Sequence, residues 1–265
     1  MQLSLSLVII TKNAEELLDN CLQSVQGLVD EIVLVDDYSK DKTLEIAKKY
    51  NARIYKHREK NLGKQKAYGL QKTKNEWILF LDADERLSLK LKEEIQSLKN
   101  SNFKFKISNY SGYYIPYQNH FLGKPINHGG ENYAMIRVFK KTYAISHQSL
   151  VHEKIEIREG KVGKLKNKIY HYSYRTFWQM YSKFTDYAVR EASQRVNKGE
   201  SSSLKKLTLY PLHMFWVRFV KDKGYKDGIF RLPLDIGFAY MEFLTYLLLW
   251  FYSWRISKIK YQISK

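Results

Sequence analysis

Three acids in four positions, Asp82, Asp84 and Glu85, follow the apolar run Trp77-Ile78-Leu79-Phe80-Leu81. Such a run suits a strand buried on both faces of a parallel sheet, and the acids cannot stay inside that sheet, so they are expected where the strand emerges. Two carboxylates spaced i, i+2 on an extended segment can both approach one hard divalent cation. At the carboxyl edge of an open α/β sheet, where ligands bind, that cation would neutralise a diphosphate. A bare Asp-x-Asp is more often a solvated turn before a helix, so the surrounding elements must decide.

Those elements alternate. Leu3–Ile10 is β-rich, and Asn13 precedes a helix over Ala14 to about Val25 whose early acids favour its N-terminus. Glu31–Val35 predicts a second strand ending in Asp36-Asp37, followed by a helix through about Tyr50. A short strand at Ala52–Tyr55, a helix at Leu62–Lys72 and the Trp77–Leu81 strand complete the series. The pattern predicts an α/β fold with a mostly parallel, doubly wound sheet. The first turn, Thr11-Lys12-Asn13, has no glycine, and no Gly-Lys-Ser/Thr occurs, so nicotinamide cofactors and P-loop ATP hydrolysis are poorly supported. Thr11, Asp36, Asp37, Asp82 and Asp84 remain at the strand ends, an acidic edge that calls for a cation, and nucleotide diphosphates bring one.

Leu89–Lys99 reads as a helix capped by Ser88, and residues 101–170 read as short aromatic and β-branched runs packed beside the sheet. Within them, Leu150-Val151-His152-Glu153 sets an imidazole next to a carboxylate, a pairing that is most often a surface feature. After Tyr170 the chain reads as helical, with Trp178–Lys198 and Leu204–Lys221 as the longer segments. The last apolar run, Leu232–Trp254, is interrupted by Asp235 and Glu242. Its cleanest part, Phe243–Trp254, is about 18 Å long at helical rise, short of a ~30 Å hydrocarbon core. Flanked by Lys and Arg and rich in aromatics, it suits a helix pair lying in a membrane interface. The alternative is packing on the domain or on a second copy in a homo-oligomer.

Charge follows the same division. Of 265 residues, 45 are Lys or Arg and 27 Asp or Glu, a net of +18. Residues 1–160 hold 25 against 20 and residues 161–265 hold 20 against 7, so a net of +13 belongs to the last two-fifths. That bias fits an anionic membrane surface, a phosphorylated substrate or nucleic acid. No nucleic-acid motif occurs, and Phe243–Trp254 is too apolar to track phosphates. The single cysteine, Cys21, provides neither a disulfide framework nor a cysteine zinc site, and it implies a reducing, cytoplasmic setting. The first ten residues lack a basic leader and read as the mature start of a core strand.

The ordered set of motifs resembles the family 2 glycosyltransferases of the GT-A fold, in particular the bacterial lipopolysaccharide core β-1,4-glucosyltransferases that act on inner-core heptose. It comprises Val8-Ile9-Ile10-Thr11-Lys12-Asn13, Val35-Asp36-Asp37-Tyr38-Ser39-Lys40-Asp41-Lys42-Thr43 and Leu81-Asp82-Ala83-Asp84-Glu85. Phe121-Leu122-Gly123, His128-Gly129-Gly130, Leu150-Val151-His152-Glu153, His171-Tyr172-Ser173-Tyr174 and Lys223-Gly224-Tyr225-Lys226-Asp227-Gly228 extend it over nearly the whole chain. Two departures stand out. Gly63-Lys64-Gln65-Lys66-Ala67 replaces a frequent Gly-x-Gln-Arg-Asn, and Asn132-Tyr133 replaces a Pro-Asp pair before the arginine matched by Arg137.

The resemblance implies an inverting, metal-dependent hexosyltransferase that moves glucose from a UDP-sugar to a hydroxyl of a glycolipid or oligosaccharide acceptor. It implies donor-nucleotide contacts from Thr11, Asn13, Asp36, Asp37, Lys66 and Asp82, and Mg²⁺ or Mn²⁺ on Asp82 and Asp84. Glu153 is the implied base, Glu131 the second choice, and His152 orients Glu153 or reaches the metal. A polyprenyl-phosphate sugar synthase shares the pattern of the first hundred residues and is the runner-up. The expected organisation is a catalytic domain over 1–170, with a donor half to about residue 100 and an acceptor half after it, then a basic helical region over 171–265. The expected location is the cytoplasmic face of the cell membrane.

Overall fold

The computed structural model describes residues 3–59, 61–99, 110–131, 133–146 and 155–263. Its first part alternates as predicted: β1 (Leu5–Thr11), α1 (Leu18–Val25), β2 (Glu31–Asp36), α2 (Thr43–Lys49), β3 (Arg53–Lys56), α3 (Leu62–Gln71) and β4 (Trp77–Asp82). β1 lies between β2 and β4 and runs parallel to both, with β3 outside β2. A short β5 (Glu85–Leu87) leads into α4 (Leu89–Lys99), where the Leu91 amide donates to Ser88 Oγ at 3.2 Å. The return strands are β6 (Tyr110–Phe121), β7 (Lys124–Pro125), β8 (Ala134–Lys140), β9 (Ala144–Ser146), β10 (Ile155–Ile157), β11 (Lys161–Lys164) and β12 (Ile169–Tyr174). The main sheet runs β3-β2-β1-β4-β8-β6-β12-β5, with β8 antiparallel to its neighbours.

Strand alternation explains why both faces are covered. Leu5, Leu7, Ile9, Leu79 and Leu81 share a cluster with Leu18 and Leu22 of α1 and Leu91 and Ile95 of α4. Val8, Val33, Val35, Ile78 and Phe80 form a second cluster, against which Tyr68 and Leu70 pack. Gly69 lets α3 come this close, since a Cβ there would lie 2.7 Å from Val8 Cγ1 and 3.1 Å from Val35 Cγ2.

The first helix begins at Leu18, later than the acids suggested. Those acids serve the loops instead. Glu15 accepts from the Lys42 amide at 3.0 Å while its own amide donates to Asp41, and the Ala14 amide donates to Thr43 Oγ1 at 2.7 Å. Side-chain bonding to the backbone competes with helix here and prevails.

The chain divides into two compact units, Met1–Gln118 with Tyr133–His171, and Asn119–Asn132 with Tyr172–Lys265. Asn119–Asn132, placed by sequence in the acceptor half, groups with the residues from Tyr172 onward.

In the second unit, α5 (Phe177–Asn197) is capped by Thr176 and buries Met180, Phe184, Ala188 and Ala192, one residue per turn. α6 (Leu204–Phe215), capped by Ser203, continues as a π-helical turn over Trp216–Lys221. The last element is α7 (Leu232–Ile263). This corrects the expected helix pair: α7 is one helix of 32 residues, about 48 Å long. Asp235 does not interrupt it because its carboxylate is buried against Arg231 (2.9 Å) and Arg218 (3.2 Å). The argument from shortness therefore fails, since Ile229–Trp254 is long and apolar enough to cross a membrane by length and composition.

The later motifs build this unit's interior. Arg231, fully buried, reaches Asp227 at 3.1 Å and the Gly129 carbonyl at 3.2 Å. Asp227 accepts from the Asn127 and His128 amides, each at 3.0 Å, and meets His128 Nδ1 at 2.7 Å. Gly129 has φ +69°, and a Cβ there would collide with the Arg231 guanidinium.

Candidate active site

β1 and β2 end side by side, with Thr11 opposite Asp36, and the Asp37 amide donates to the Thr11 carbonyl at 2.9 Å. The Asp36 carboxylate is buried and turned back on its own loop. It accepts from the Ser39 amide at 2.9 Å, from the Ser39 hydroxyl, and from Thr11 Oγ1 at 3.2 Å. Asn13, at φ +49°, completes the join: its amide donates to Ser39 Oγ at 2.8 Å, and its Oδ1 accepts from the Lys40 amide at 2.9 Å. Asp36 and Asn13 thus hold the two loops together. Asp37 stands further out, between Lys12 (2.8 Å) and Arg58. Hydrogen bonds from Lys12 and Arg58 hold its carboxyl below the usual carboxylate range.

β4 carries the second acidic group to the same edge, with Asp82 opposite Ile10 of β1. Asp82 Oδ1 lies 3.0 Å from Lys66 Nζ of α3, and its Oδ2 lies 3.0 Å from Arg137 Nη2 of β8. Burial alone would raise its pKa, but the charges of Lys66 and Arg137 outweigh that and keep it ionised well into acid. Cys21 lies beneath, its Sγ 3.6 Å from the Asp82 carbonyl, with its thiol pushed well up by burial.

Glu85 departs from expectation. It does not emerge with its neighbours but turns inward, 1% exposed. It accepts from Arg137 at 2.6 Å, from the Tyr117 hydroxyl at 2.9 Å and from the Asp82 amide at 3.0 Å. A fully hydrogen-bonded partner is what lets a carboxylate stay inside. Burial still pushes the pKa of Glu85 up, only partly offset by Arg137. The pKa of Arg137 stays well above its usual value because Glu85, Tyr117 and Asp82 overcome its own burial.

Asp84 faces differently. His171 Nε2, on β12, lies 3.5 Å from Asp84 Oδ1. Burial would lower the imidazole pKa, yet the charge and hydrogen bond of Asp84 hold it above the usual histidine value. The His171 ring sits edge-on to Tyr117 with centroids 5.9 Å apart, and Tyr133 stacks on the same Tyr117 at 4.9 Å. Among the described residues no three His, Cys, Asp or Glu side chains are grouped to hold a metal ion. The carboxylate of Asp84 nevertheless fits Mg²⁺ or Mn²⁺ of the kind that takes few protein ligands and completes its shell from phosphates and water, with His171 as its neighbour, while Asp82, the other expected ligand, is paired with Lys66 and Arg137.

The structure therefore brings Thr11, Asn13, Asp36, Asp37, Lys66, Asp82 and Asp84 to one edge of one unit. Glu131 lies in the other unit, where its carboxylate accepts from Asn119 at 2.7 Å and from Arg218 and lies 3.6 Å from Arg231. These contacts make Glu131 part of that unit's ionic interior. His152 and Glu153 lie outside the described residues. Sequence reasoning missed the placement of Lys12, Arg58, Tyr117 and Glu85. Arg137 carried a signal, as a lone cation inside the apolar run Ile136–Phe139.

The glycosyl transferase family 2 model matches residues 6–178. The chain belongs to that family. This family 2 glycosyltransferase has the GT-A-like α/β fold, a mixed, mostly parallel sheet followed by C-terminal helices. It is 27% identical to an uncharacterized glycosyltransferase of Rickettsia conorii, covering 91% of this chain and 87% of the relative. It is also 27% identical to the lipopolysaccharide core biosynthesis glycosyltransferase LpsC of Rhizobium meliloti, covering 92% of this chain and 88% of the relative. Among solved structures it is similar to S. aureus TarS in complex with UDP, at 14% identity and a TM-score of 0.45, covering 96% of this chain and 92% of that one.

Proposed function

We propose that this glycosyltransferase transfers a hexose, glucose, from a UDP-sugar to a hydroxyl of a cell-envelope glycan or glycolipid such as the lipopolysaccharide inner core, with inversion at the anomeric carbon. The observation that carries the reading is the meeting of Thr11, Asp37, Asp82 and Asp84 at the ends of neighbouring parallel strands. The description of the LpsC relative supports the acceptor class.

Thr11 and Asp37 bind the nucleoside, with Asp36 and Asn13 holding their loops in place. Lys66 and Arg137 supply positive charge at Asp82, beside the diphosphate. Asp84, oriented by His171, would hold the divalent cation, which when bound supplies Lewis-acid stabilisation of charge on the leaving diphosphate. The acceptor oxygen attacks the anomeric carbon opposite the diphosphate. A new C–O bond forms as the bond to the phosphate oxygen breaks, UDP leaves with that electron pair, and Glu153 takes the hydroxyl proton. His152 orients Glu153 or reaches the metal.

A panel of nucleotide sugars scored for Mn²⁺-dependent hydrolysis tests the donor, because slow turnover needs no acceptor. Hydrolysis confined to UDP-glucose is expected, and preference for a non-uridine donor would overturn the assignment. A Glu153→Gln enzyme that binds UDP normally and turns over at the wild-type rate would remove Glu153 from its role. An acid-labile lipid-phosphate sugar as product would favour the polyprenyl-phosphate reading.

A further inference from the structure

One side of α7 is covered and the other is not. Leu234, Asp235, Thr245, Tyr246 and Leu249 are buried. Tyr246 receives Arg195 of α5 at 2.6 Å and meets the Tyr210 ring of α6 edge-on at 5.2 Å. On the opposite arc Ile236 is 45% exposed, Phe243 40%, Trp250 41%, Phe251 56% and Trp254 54%. At 100° per residue these five fall on one stripe about 27 Å long, and no charged residue interrupts it. Glu242 lies on another side of the helix, half-buried.

The charge of this region favours one occupant. Residues 161–265 carry a net of +13, and Lys205, Lys221 and Lys223 are exposed on the α6 segment and the turns after it, as are Leu212 (66%) and Trp216 (49%). Trp beside Lys, with aliphatic residues between, is the composition that partitions to a headgroup region. A second copy of the chain would bring the same positive charge to the same place, and like charges oppose such pairing. Crossing a bilayer is disfavoured as well. α5 and α6, with the charged pair Arg195–Glu191 (2.9 Å), cover the other side of α7, and the buried Arg231–Asp235 pair sits at its start.

We propose that the Ile236–Trp254 face of α7 lies in the plane of an anionic phospholipid surface, its aromatic side chains in the headgroup region. This does not depend on the sugar donor or acceptor. The test uses full-length protein with vesicles of phosphatidylcholine, with and without phosphatidylglycerol, read by flotation. Trp178→Phe with Trp216→Phe leaves Trp250 and Trp254 as the exposed tryptophans, and their fluorescence is then read against brominated lipid. The protein is expected to float with the anionic vesicles and to lose binding in high salt, with both tryptophans quenched by lipid brominated near the headgroups. Trp250→Glu with Phe251→Glu is expected to weaken binding by at least about tenfold, with circular dichroism unchanged. Lack of flotation, equal binding by that variant, or a dimer in sedimentation that the variant breaks would each overturn the proposal. A C-terminal tag protected from external protease, showing a crossing helix, would do so too.

Discussion

The guanidinium of Arg137 and the carboxylate of Glu85 meet 2.6 Å apart, with 6% and 1% of their side chains exposed. A buried pair of this kind is worth little against an apolar substitute, but losing one member is costly because the other charge stays behind. Its place directly behind Asp82 makes it the support on which the acidic edge rests.

Arg137→Met should therefore destabilise the fold by about 3–5 kcal/mol, and adding Glu85→Leu should recover part of the loss. Urea unfolding of the two variants and the wild type checks this. An equal or larger loss in the double variant would mean that the pair itself is strongly favourable.

Asp84 and His171 should behave differently. In an Asp84→Asn protein, Mn²⁺ should no longer raise the affinity for UDP. His171→Ala should weaken Mn²⁺ binding by about 10–100-fold through loss of an orienting neighbour. Calorimetric titration of UDP with and without Mn²⁺ separates the two. A manganese effect that survives in Asp84→Asn would move the cation elsewhere.

Asp37 and Asp36 offer a second contrast. Asp37→Ala should lower UDP affinity by roughly 10–100-fold, the loss of one charge-assisted hydrogen bond, at nearly unchanged stability. Asp36→Ala should cost about 1–3 kcal/mol of stability, since it leaves the buried Thr11 hydroxyl and the partly buried donors of Ser39 without their acceptor. Thermal melts beside UDP titrations tell these apart.

Asp227 makes the second unit acid-sensitive. Burial would raise its pKa, but hydrogen bonds from His128 and Asn127 and the charge of Arg231 hold it below the usual aspartate value. A depressed carboxylate contributes stability that is fully present above the unfolded value of about 3.9 and is lost as pH falls through the folded one. The stability gap between wild type and Asp227→Asn should therefore narrow as pH drops below about 4. Melts across that range read it directly.

Much of the first unit was legible because its signals are local. Trp77–Leu81 reads as a strand buried on both faces because apolar runs of that length have few other uses, and Ser88 marks a helix start because its hydroxyl meets the helix's own amides. The first helix was misplaced because Glu15 and Thr43, far apart in sequence, bond each other's loops. The C-terminal helix was misread for a related reason. Asp235 looks like a break until Arg231 and Arg218 are known to surround it.

By itself the sequence determined the alternating strands and helices and the sheet edge at which acids gather, because hydrophobic periodicity and strand ends are properties of neighbouring residues. Only the tertiary structure decided which acid of each pair stays accessible. Asp36 is spent on its own turn while Asp37 stands outside it, and Glu85 is drawn inward while Asp84 meets His171. The partner that draws Glu85 inward, Arg137, lies 52 residues away. A carboxylate's role is set by the cation it meets in space, which no local pattern encodes.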